Sequence, residues 1–438
     1  MKTVKMKIGS GTVNVSVPEK NLIGVIEKPA PFVDKSEQQV ILDALANPIG
    51  RPRLGDMVKP GESVAIIVSD ISRAWQRMFV YLPYIVKELN DAGVKDKDIR
   101  FISATGYHRM QTADEHAKLL GEELAARFTM VDHDCKDSDN MIHLGTTDRG
   151  TPVAINKAAL DADHMVLTGA VCYHPWVGWG GGKKSILPGI AAFETIQRNH
   201  VMTMSDEIGG GQRLEVRNGN IKGNPVHWDM LEAADMVNPA FMFNSIIGPS
   251  GKITHAVAGH YIEAHEVGCR IVDDLYGIPI NELADIVISS QGGFPKDIEF
   301  YQTGKAVYIA TDALKPGGYM IILSECAEGL GPPDALTIFQ ECENTLERER
   351  EVRELFTVPK YVSYYISEAA DKYKMIIVGS IDPKLLAKTP IRVVDTVDEA
   401  LAIAFKEKGE DQTIYLMPQG SSALPKLQNK QERQVAHE

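Results

Sequence analysis

The chain has 438 residues, 44% of them hydrophobic and 24% charged, with a formal net charge of −13. Its length exceeds the usual single-core size of about 250–300 residues, so two domains are expected. The acidity argues against nucleic acid or an anionic membrane surface as a partner, and no apolar run approaches the ~18 residues of a membrane helix.

The N-terminus, Met1 to Lys7, is basic, but no apolar run follows it. It reads as a first strand rather than a signal peptide. Lys59-Pro60-Gly61-Glu62 is a turn, and Val64–Val68 after it is a continuous apolar run, as in a strand buried on both faces. A helical pattern through Phe79–Leu89 stops near Gly93. Ile99–Ala104, Phe128–Val131 and Met165–Thr168 are the next expected strands. Strands alternating with helices imply a parallel, doubly wound sheet.

Val257 to Ile280 reads as a connecting helix and boundary. A second unit of the same kind follows. Its expected strands are Ile286–Ile288, Gly317–Leu323 and Met375–Val378, and Asp297 is expected to cap a helix running to about Ala313. The fold class is therefore α/β with two domains, each a mainly parallel sheet flanked by helices. The expected boundaries are 1–270 for the N-terminal domain and 278–410 for the C-terminal one. Residues 411–427 form a C-terminal segment that can return to the first domain, and 428–438 read as a disordered tail. The five cysteines are dispersed, with no Cys-x-x-Cys pair, so a disulfide framework or zinc ribbon is not expected and a reducing cytoplasm fits.

The densest chemistry lies in Tyr173-His174-Pro175-Trp176-Val177-Gly178-Trp179-Gly180-Gly181-Gly182-Lys183-Lys184-Ser185. Gly181 and Gly182 let backbone approach a bulky ligand. Trp176 and Trp179 read equally as a ligand wall or as core. The lysines offer positive charge or a nucleophilic amine. His200, at the end of the following segment, is a candidate metal ligand or proton carrier. Together these residues read as a cofactor site.

Asp70 and Arg73, then Tyr107 and His108, then His174 each follow an expected strand. In open parallel sheets ligands bind at such carboxyl ends, so these residues are expected to share one crevice. Asp70 reads equally as a helix cap. His116, His133 and His143 read as ordinary surface or core residues, Cys172 as a small buried hydrophobe, and His255, His260 and His265 as no metal cluster. In the second unit Tyr301, Gln302 and Lys305 share a helix face near a helix N-terminus, where an anion is favoured.

With these residues assembled, the chain resembles the nickel-dependent lactate racemase family over nearly its whole length. The markers are Asp70-Ile71-Ser72-Arg73, Thr105-Gly106-Tyr107-His108-Arg109, His174 with Gly180 to Gly189, Arg198-Asn199-His200, and Gly292-Gly293-Phe294-Pro295 with Tyr301, Gln302 and Lys305. The resemblance implies a racemase or epimerase of a 2-hydroxy acid, lactate or a larger relative. It also implies a nickel pincer nucleotide, a pyridinium-3-thioamide-5-thiocarboxylic acid mononucleotide that grips Ni and accepts the α-hydrogen by hydride transfer. Lys184 would tether this cofactor, His200 would bind nickel, and Trp176, Gly181 and Gly182 would line it. His108 and His174 would be the acid/base pair. Arg73 and Lys305 would hold the substrate carboxylate, with Tyr301 and Gln302 lining the site and Asp70 supporting the Arg73 loop. An adjacent Lys183 cation would lower the Lys184 pKa. With Lys184 in one domain and Lys305 in the other, the active site is expected in the interdomain cleft. Cofactor-maturation proteins are the implied partners.

This chain has Ala74-Trp75-Gln76 where relatives carry prolines or small residues, and Trp176 and Trp179 where they often have Phe. A larger or more polar substrate than lactate is therefore expected. A covering aromatic from the second domain is sought among Tyr361, Tyr364 and Tyr365. Two other readings stand beside the racemase. An NAD-dependent 2-hydroxy acid dehydrogenase is weakened by the missing Gly-x-Gly-x-x-Gly after the first buried strand. A non-catalytic carrier of the nickel nucleotide would not need both His108 and His174.

Overall fold

The computed structural model describes residues 1–27 and 35–428. They divide into two compact units. A terminal unit comprises Met1–Pro29, Met204–Asn218 and Tyr276–Glu438, and a central unit comprises Ala30–Thr203 and Gly219–Leu275.

The central unit is built on a six-stranded sheet in the order Ile253–Gly259, Phe241–Ile247, His164–Ala170, Val64–Ser69, Ile99–Ala104, Met130–Asp132. All neighbours are parallel except the first pair. The Val64–Val68 run is wholly buried, as a strand covered on both faces must be. The helix Met78–Asp91 follows it and buries Met78, Tyr81, Leu82, Ile85, Val86 and Leu89. That spacing is one helical face, and full burial of each such side chain is worth about 1.5–3 kcal/mol. The chain leaves Val64–Ser69 for Ile99–Ala104 on one side and reaches His164–Ala170 on the other. The three carboxyl ends therefore lie side by side at a point where strand order reverses, the usual location for a ligand crevice.

The terminal unit holds a six-stranded parallel sheet in the order Arg392–Val394, Lys374–Val378, Leu314–Leu323, Ala284–Ser290, Ile414–Met417, Leu22–Val25. Its core joins Ile286, Ile288, Ile321 and Leu416 to Met6, Val15 and Val17 of the N-terminal hairpin Lys2–Ile8/Gly11–Val17. This division departs from the expected one. Residues 1–27 join the later part of the chain, because Leu22–Val25 pairs with Ile414–Met417. For the same reason 411–427 does not return to the first domain: Leu424–Leu427 pairs with Gly277–Ile280 in the terminal unit. Met204–Asn218 joins it through hydrogen bonds. Gly209 N donates to Glu349 Oε2 at 2.9 Å, Tyr361 Oη to Gln212 Oε1 at 2.6 Å, and Arg353 Nη2 to Ser205 O at 2.7 Å.

Two local expectations are also corrected. Val257–Ile280 is not one helix but the end of a strand, the helix Glu263–Tyr276 and the strand Gly277–Ile280. Asp297 does not cap the next helix, which is Phe300–Ala310 behind Glu299, with a 3-10 turn Thr311–Ala313 after it. The Asp297 carboxylate instead accepts Gly9 N at 2.7 Å. The expected tail lies outside the described residues beyond Gln428. Among the described residues no helix is long and apolar enough to cross a membrane.

Candidate functional site

At the end of Val64–Ser69, Asp70 caps the 3-10 turn Ile71–Gln76. Its Oδ1 accepts Ser72 N at 2.7 Å and Ser72 Oγ at 2.5 Å, while Oδ2 meets His108 Nδ1 at 2.6 Å. Asp70 thus caps the turn with one oxygen and meets His108 with the other. Burial pushes its pKa up, but the hydrogen bonds and charges of His108, Ser72 and Arg73 together hold it below the usual value. The carboxylate assigns the His108 proton to Nδ1 and leaves Nε2 as the working atom. The His108 side chain is 45% exposed, so that atom is open to a ligand. Arg73 Nη1 bonds Ser72 Oγ at 3.0 Å, and no carboxylate pairs with Arg73 among the described residues. Arg109, by contrast, is engaged by Glu115 through two bonds of 2.9 and 2.7 Å. A cavity of about 300 Å³ is lined by Asp70, Ile71, Ser72, His108, Arg109 and Gln111. Gln111, which sequence reasoning missed, ties the loops together. Its side chain accepts Ile71 N at 2.6 Å and donates to Ser103 Oγ at 2.6 Å and Asp132 Oδ1 at 2.8 Å.

Beyond His164–Ala170 the chain makes a short ribbon, Tyr173–His174 against Gly178–Trp179. Gly181 then turns with φ +80°, and a Cβ there would lie 2.5 Å from Asn244 Oδ1 and 2.9 Å from Ala170 O. Only glycine fits. The 3-10 turn Gly182–Ser185 follows and carries Lys184 to His174, with Nζ 2.8 Å from Nε2. Trp176 is 4% exposed and sits edge-on to both His174 and His200, with ring centroids 5.7 and 5.5 Å away. It is therefore buried, against two of the candidate histidines. Trp179 is buried too.

His200 is 3% exposed on the helix Phe193–Val201. That helix is anchored by the adjacent Asn199, whose Nδ2 donates to Asp229 Oδ2 at 2.8 Å. Asp229 is fully buried and also accepts the hydroxyls of Thr147 and Thr151 at 2.6 and 2.9 Å.

Burial dominates the electrostatics of this group. It brings the Lys184 amine down to about 7, with Arg73 and then Lys183 adding to the effect. The contribution of Lys183, itself lowered to about 8 by burial, is smaller than those of burial and Arg73. Burial, with the charges of Lys184, Arg73 and His200, holds His174 well below the usual histidine value. It takes His200 to about 3. Near neutral pH His174 and His200 are thus uncharged, and the Lys184 amine has a large neutral fraction.

Tyr301, Gln302 and Lys305 share one face of Phe300–Ala310 as expected, with Lys305 Nζ donating to Gln302 Oε1 at 3.2 Å. They belong to the terminal unit, whereas the other site residues belong to the central one. Of the three tyrosines considered as a cover, Tyr361 and Tyr364 are core, at 0% and 1% exposure, and Tyr365 stacks on Tyr308 at 3.7 Å. His255, His260 and His265 lie on a strand, a turn and a helix in succession.

Comparison with known proteins identifies the family of the chain. The lactate racemase N-terminal domain family matches residues 8–211, and the lactate racemase C-terminal domain family matches 280–424. A lactate racemase of Thermoanaerobacterium thermosaccharolyticum is 32% identical over 434 residues, spanning 97% of this chain and 99% of the relative. One from Lactiplantibacillus plantarum is 29% identical over 433 residues, 97% of this chain and 100% of the relative. The solved structure of the lactate racemase apoprotein from T. thermosaccharolyticum superposes with a TM-score of 0.88 at 31% identity, covering 97% of this chain and 100% of that one. A crystal structure of a Thermotoga maritima protein shares the fold alone, with a TM-score of 0.63 at 16% identity over 90% of this chain and 98% of the other. The chain belongs to the lactate racemase family.

Proposed function

We propose that this protein is an isomerase that racemises or epimerises a 2-hydroxy acid, using a nickel pincer nucleotide held on Lys184. The carrying observation is the set of side chains at three neighbouring strand ends. Asp70–His108 is one pair and His174–Lys184 another, and the Arg73 charge acts on Asp70, His174 and Lys184 alike.

The residues present fit such a group. The Lys184 amine, brought to about 7, has a large neutral fraction at neutral pH and can be acylated there. Gly181 and Gly182 remove side-chain bulk beside it, and Trp176 offers a flat wall. His200, neutral and buried, has the chemistry of a nickel ligand. When bound, the cofactor supplies an electron-poor acceptor for the α-hydrogen.

The chain's own residues do the rest. Arg73 holds the substrate carboxylate, and a guanidinium can do so with two parallel bonds. Lys305, with Tyr301 and Gln302, adds to substrate recognition. His108 Nε2, backed by Asp70, moves the hydroxyl proton for one enantiomer, and His174 does so for the other. His200 is buried and His174 half-buried, which limits the access of water. The five cysteines are free, which fits a reducing cytoplasm, and cofactor-maturation proteins would be the partners.

The test is a chirality-resolved assay of the cofactor-loaded protein against single enantiomers of several 2-hydroxy acids. An approach to an enantiomer mixture with no net loss of hydroxy acid is expected. Net oxidation coupled to NAD reduction would make it a dehydrogenase, and cofactor retention without turnover would make it a carrier.

A further inference from the structure

The Gly180-Gly181-Gly182 turn is gripped at two peptide groups. Gly182 N donates to Asn244 Oδ1 at 2.8 Å, and His265 Nε2 lies 2.8 Å from Gly180 O. The two bonds bracket Gly181. Its backbone angles cannot drift without breaking one of them.

Both gripping side chains are themselves fixed. Asn244 is fully buried in the strand Phe241–Ile247, and its Nδ2 donates to Phe243 O at 2.7 Å. His265 is 7% exposed on the helix Glu263–Tyr276, with Cys269 Sγ 3.6 Å from its Nδ1 one turn later. Since Nε2 faces a carbonyl, it must carry the proton, and Nδ1 is left to accept the Cys269 thiol. The His265 ring also lies against Gly182, where a Cβ would come within 3.0 Å of Cδ2.

A run of three glycines is the most mobile linker a chain can make, because glycine has the widest backbone freedom. Lys184 follows it on a single 3-10 turn, and its amine meets His174 through four rotatable bonds. A slack turn would let the amine swing into solvent.

We propose that Asn244 and His265 are positioning residues that lock this turn and so hold the Lys184 amine against His174. The inference rests on reading Lys184 as the attachment amine. It predicts that loss of either grip disperses the amine without unfolding the unit. Burial, which holds the Lys184 amine at about 7, would then be relieved, and the amine would be protonated and less nucleophilic at neutral pH.

The experiment uses the full-length, cofactor-free protein and a water-soluble acetylating ester at neutral pH. Acetylation of Lys184 is read by peptide mass spectrometry relative to Lys87, whose side chain is 70% exposed. His265→Leu and Asn244→Ala should lower the relative acetylation of Lys184 about threefold or more. His265→Gln, which can still donate to Gly180 O, should retain most of it. Unchanged Lys184 acetylation in a folded Leu or Ala variant overturns the proposal, as does an equal loss in His265→Gln and His265→Leu. If His265→Leu does not fold, Asn244→Ala and His265→Gln decide alone. The role of Lys184 is checked separately, by the mass of the Lys184 peptide in the cofactor-loaded parent. A parent without adduct refutes that role while leaving the grip on the turn to stand or fall by acetylation.

Discussion

Lys184 Nζ and His174 Nε2 are 2.8 Å apart, while the other His174 nitrogen, Nδ1, accepts Trp176 N at 3.2 Å. With Nδ1 occupied as an acceptor, neutral His174 carries its proton on Nε2 and donates it towards the neutral Lys184 amine. His108 is arranged the other way, with its Nδ1 against the Asp70 carboxylate. The two imidazoles therefore approach a substrate with opposite preferences, one holding a proton at Nε2 and the other offering a lone pair there. A racemisation cycle must remove a proton on one side and deliver it on the other. His108→Ala and His174→Ala are each expected to lose racemisation in both directions, by about 10²–10⁴-fold in kcat. Initial rates from each pure enantiomer check this, and a variant that still racemises near the parental rate removes that histidine from the pair.

Asp70→Asn tests the backing of His108. The asparagine keeps the volume and can still cap Ser72 with its oxygen, which turns its amide towards His108 Nδ1. That amide is a donor, so the histidine proton is driven to Nε2, the wrong nitrogen for a base. A fall in kcat of about a hundredfold or more is expected, with the fold retained. Circular dichroism and kcat measured across pH check it, and a kcat within a few fold of the parent shows that Asp70 serves only as a cap.

Acid should destabilise the protein by way of its buried histidines. His133, His200, His227 and His265 are between 1% and 7% exposed. Burial lowers all four, to about 3 for His200 and His265 and about 2 for His227. In the unfolded chain each titrates near about 6.5. Between that value and the folded one, the unfolded state binds the proton and the folded state does not. Stability is therefore fully present above about 6.5 and is lost as the pH falls, by up to about 1.4 kcal/mol per pH unit for each histidine. Urea unfolding between about pH 7 and about pH 5 measures the slope. A stability flat across that window contradicts the burial assigned to these rings.

How much of this was legible in the sequence depended on the range of the forces involved. Val64–Val68 could be read because a strand covered on both faces is apolar at every position. Asp70, Arg73, His108 and His174 could be read because each follows such a strand closely. The membership of Leu22–Val25 could not, since its partner Ile414–Met417 lies at the other end of the chain. Met204–Asn218 was equally opaque. It is polar and rich in glycine, and the contacts that hold it come from Glu349, Arg353 and Tyr361 far along the sequence. Asp297 looked like a helix cap because local spacing allowed it, but Gly9 takes its carboxylate in three dimensions. Asn244 and His265 carry no signal of their own, because their roles arise only where separate elements meet the glycine turn.

The last expectation concerns Trp75 and Trp176, two positions at which this chain departs from its relatives. Their burial separates them. Trp176 is 4% exposed and fills the space between His174 and His200, whereas Trp75 is 44% exposed on the 3-10 turn that carries Arg73. Removing Trp176 leaves a cavity between two site histidines, so Trp176→Ala should cost about 3–5 kcal/mol of stability and lower turnover of every substrate together. Trp75→Ala removes little packing, and its effect on stability should stay within about 0.5 kcal/mol. If Arg73 holds the carboxylate as proposed, an exposed indole beside it is placed to touch the rest of the substrate, and a methylene-sized change in such a contact is worth about 1–3 kcal/mol. Trp75→Ala should therefore shift the relative kcat/KM between small and large 2-hydroxy acids by about tenfold while Tm hardly moves. Competition assays on mixed substrates measure the ratio directly. If Trp75→Ala keeps the parental ranking, Trp75 is surface and the substrate side chain is recognised elsewhere.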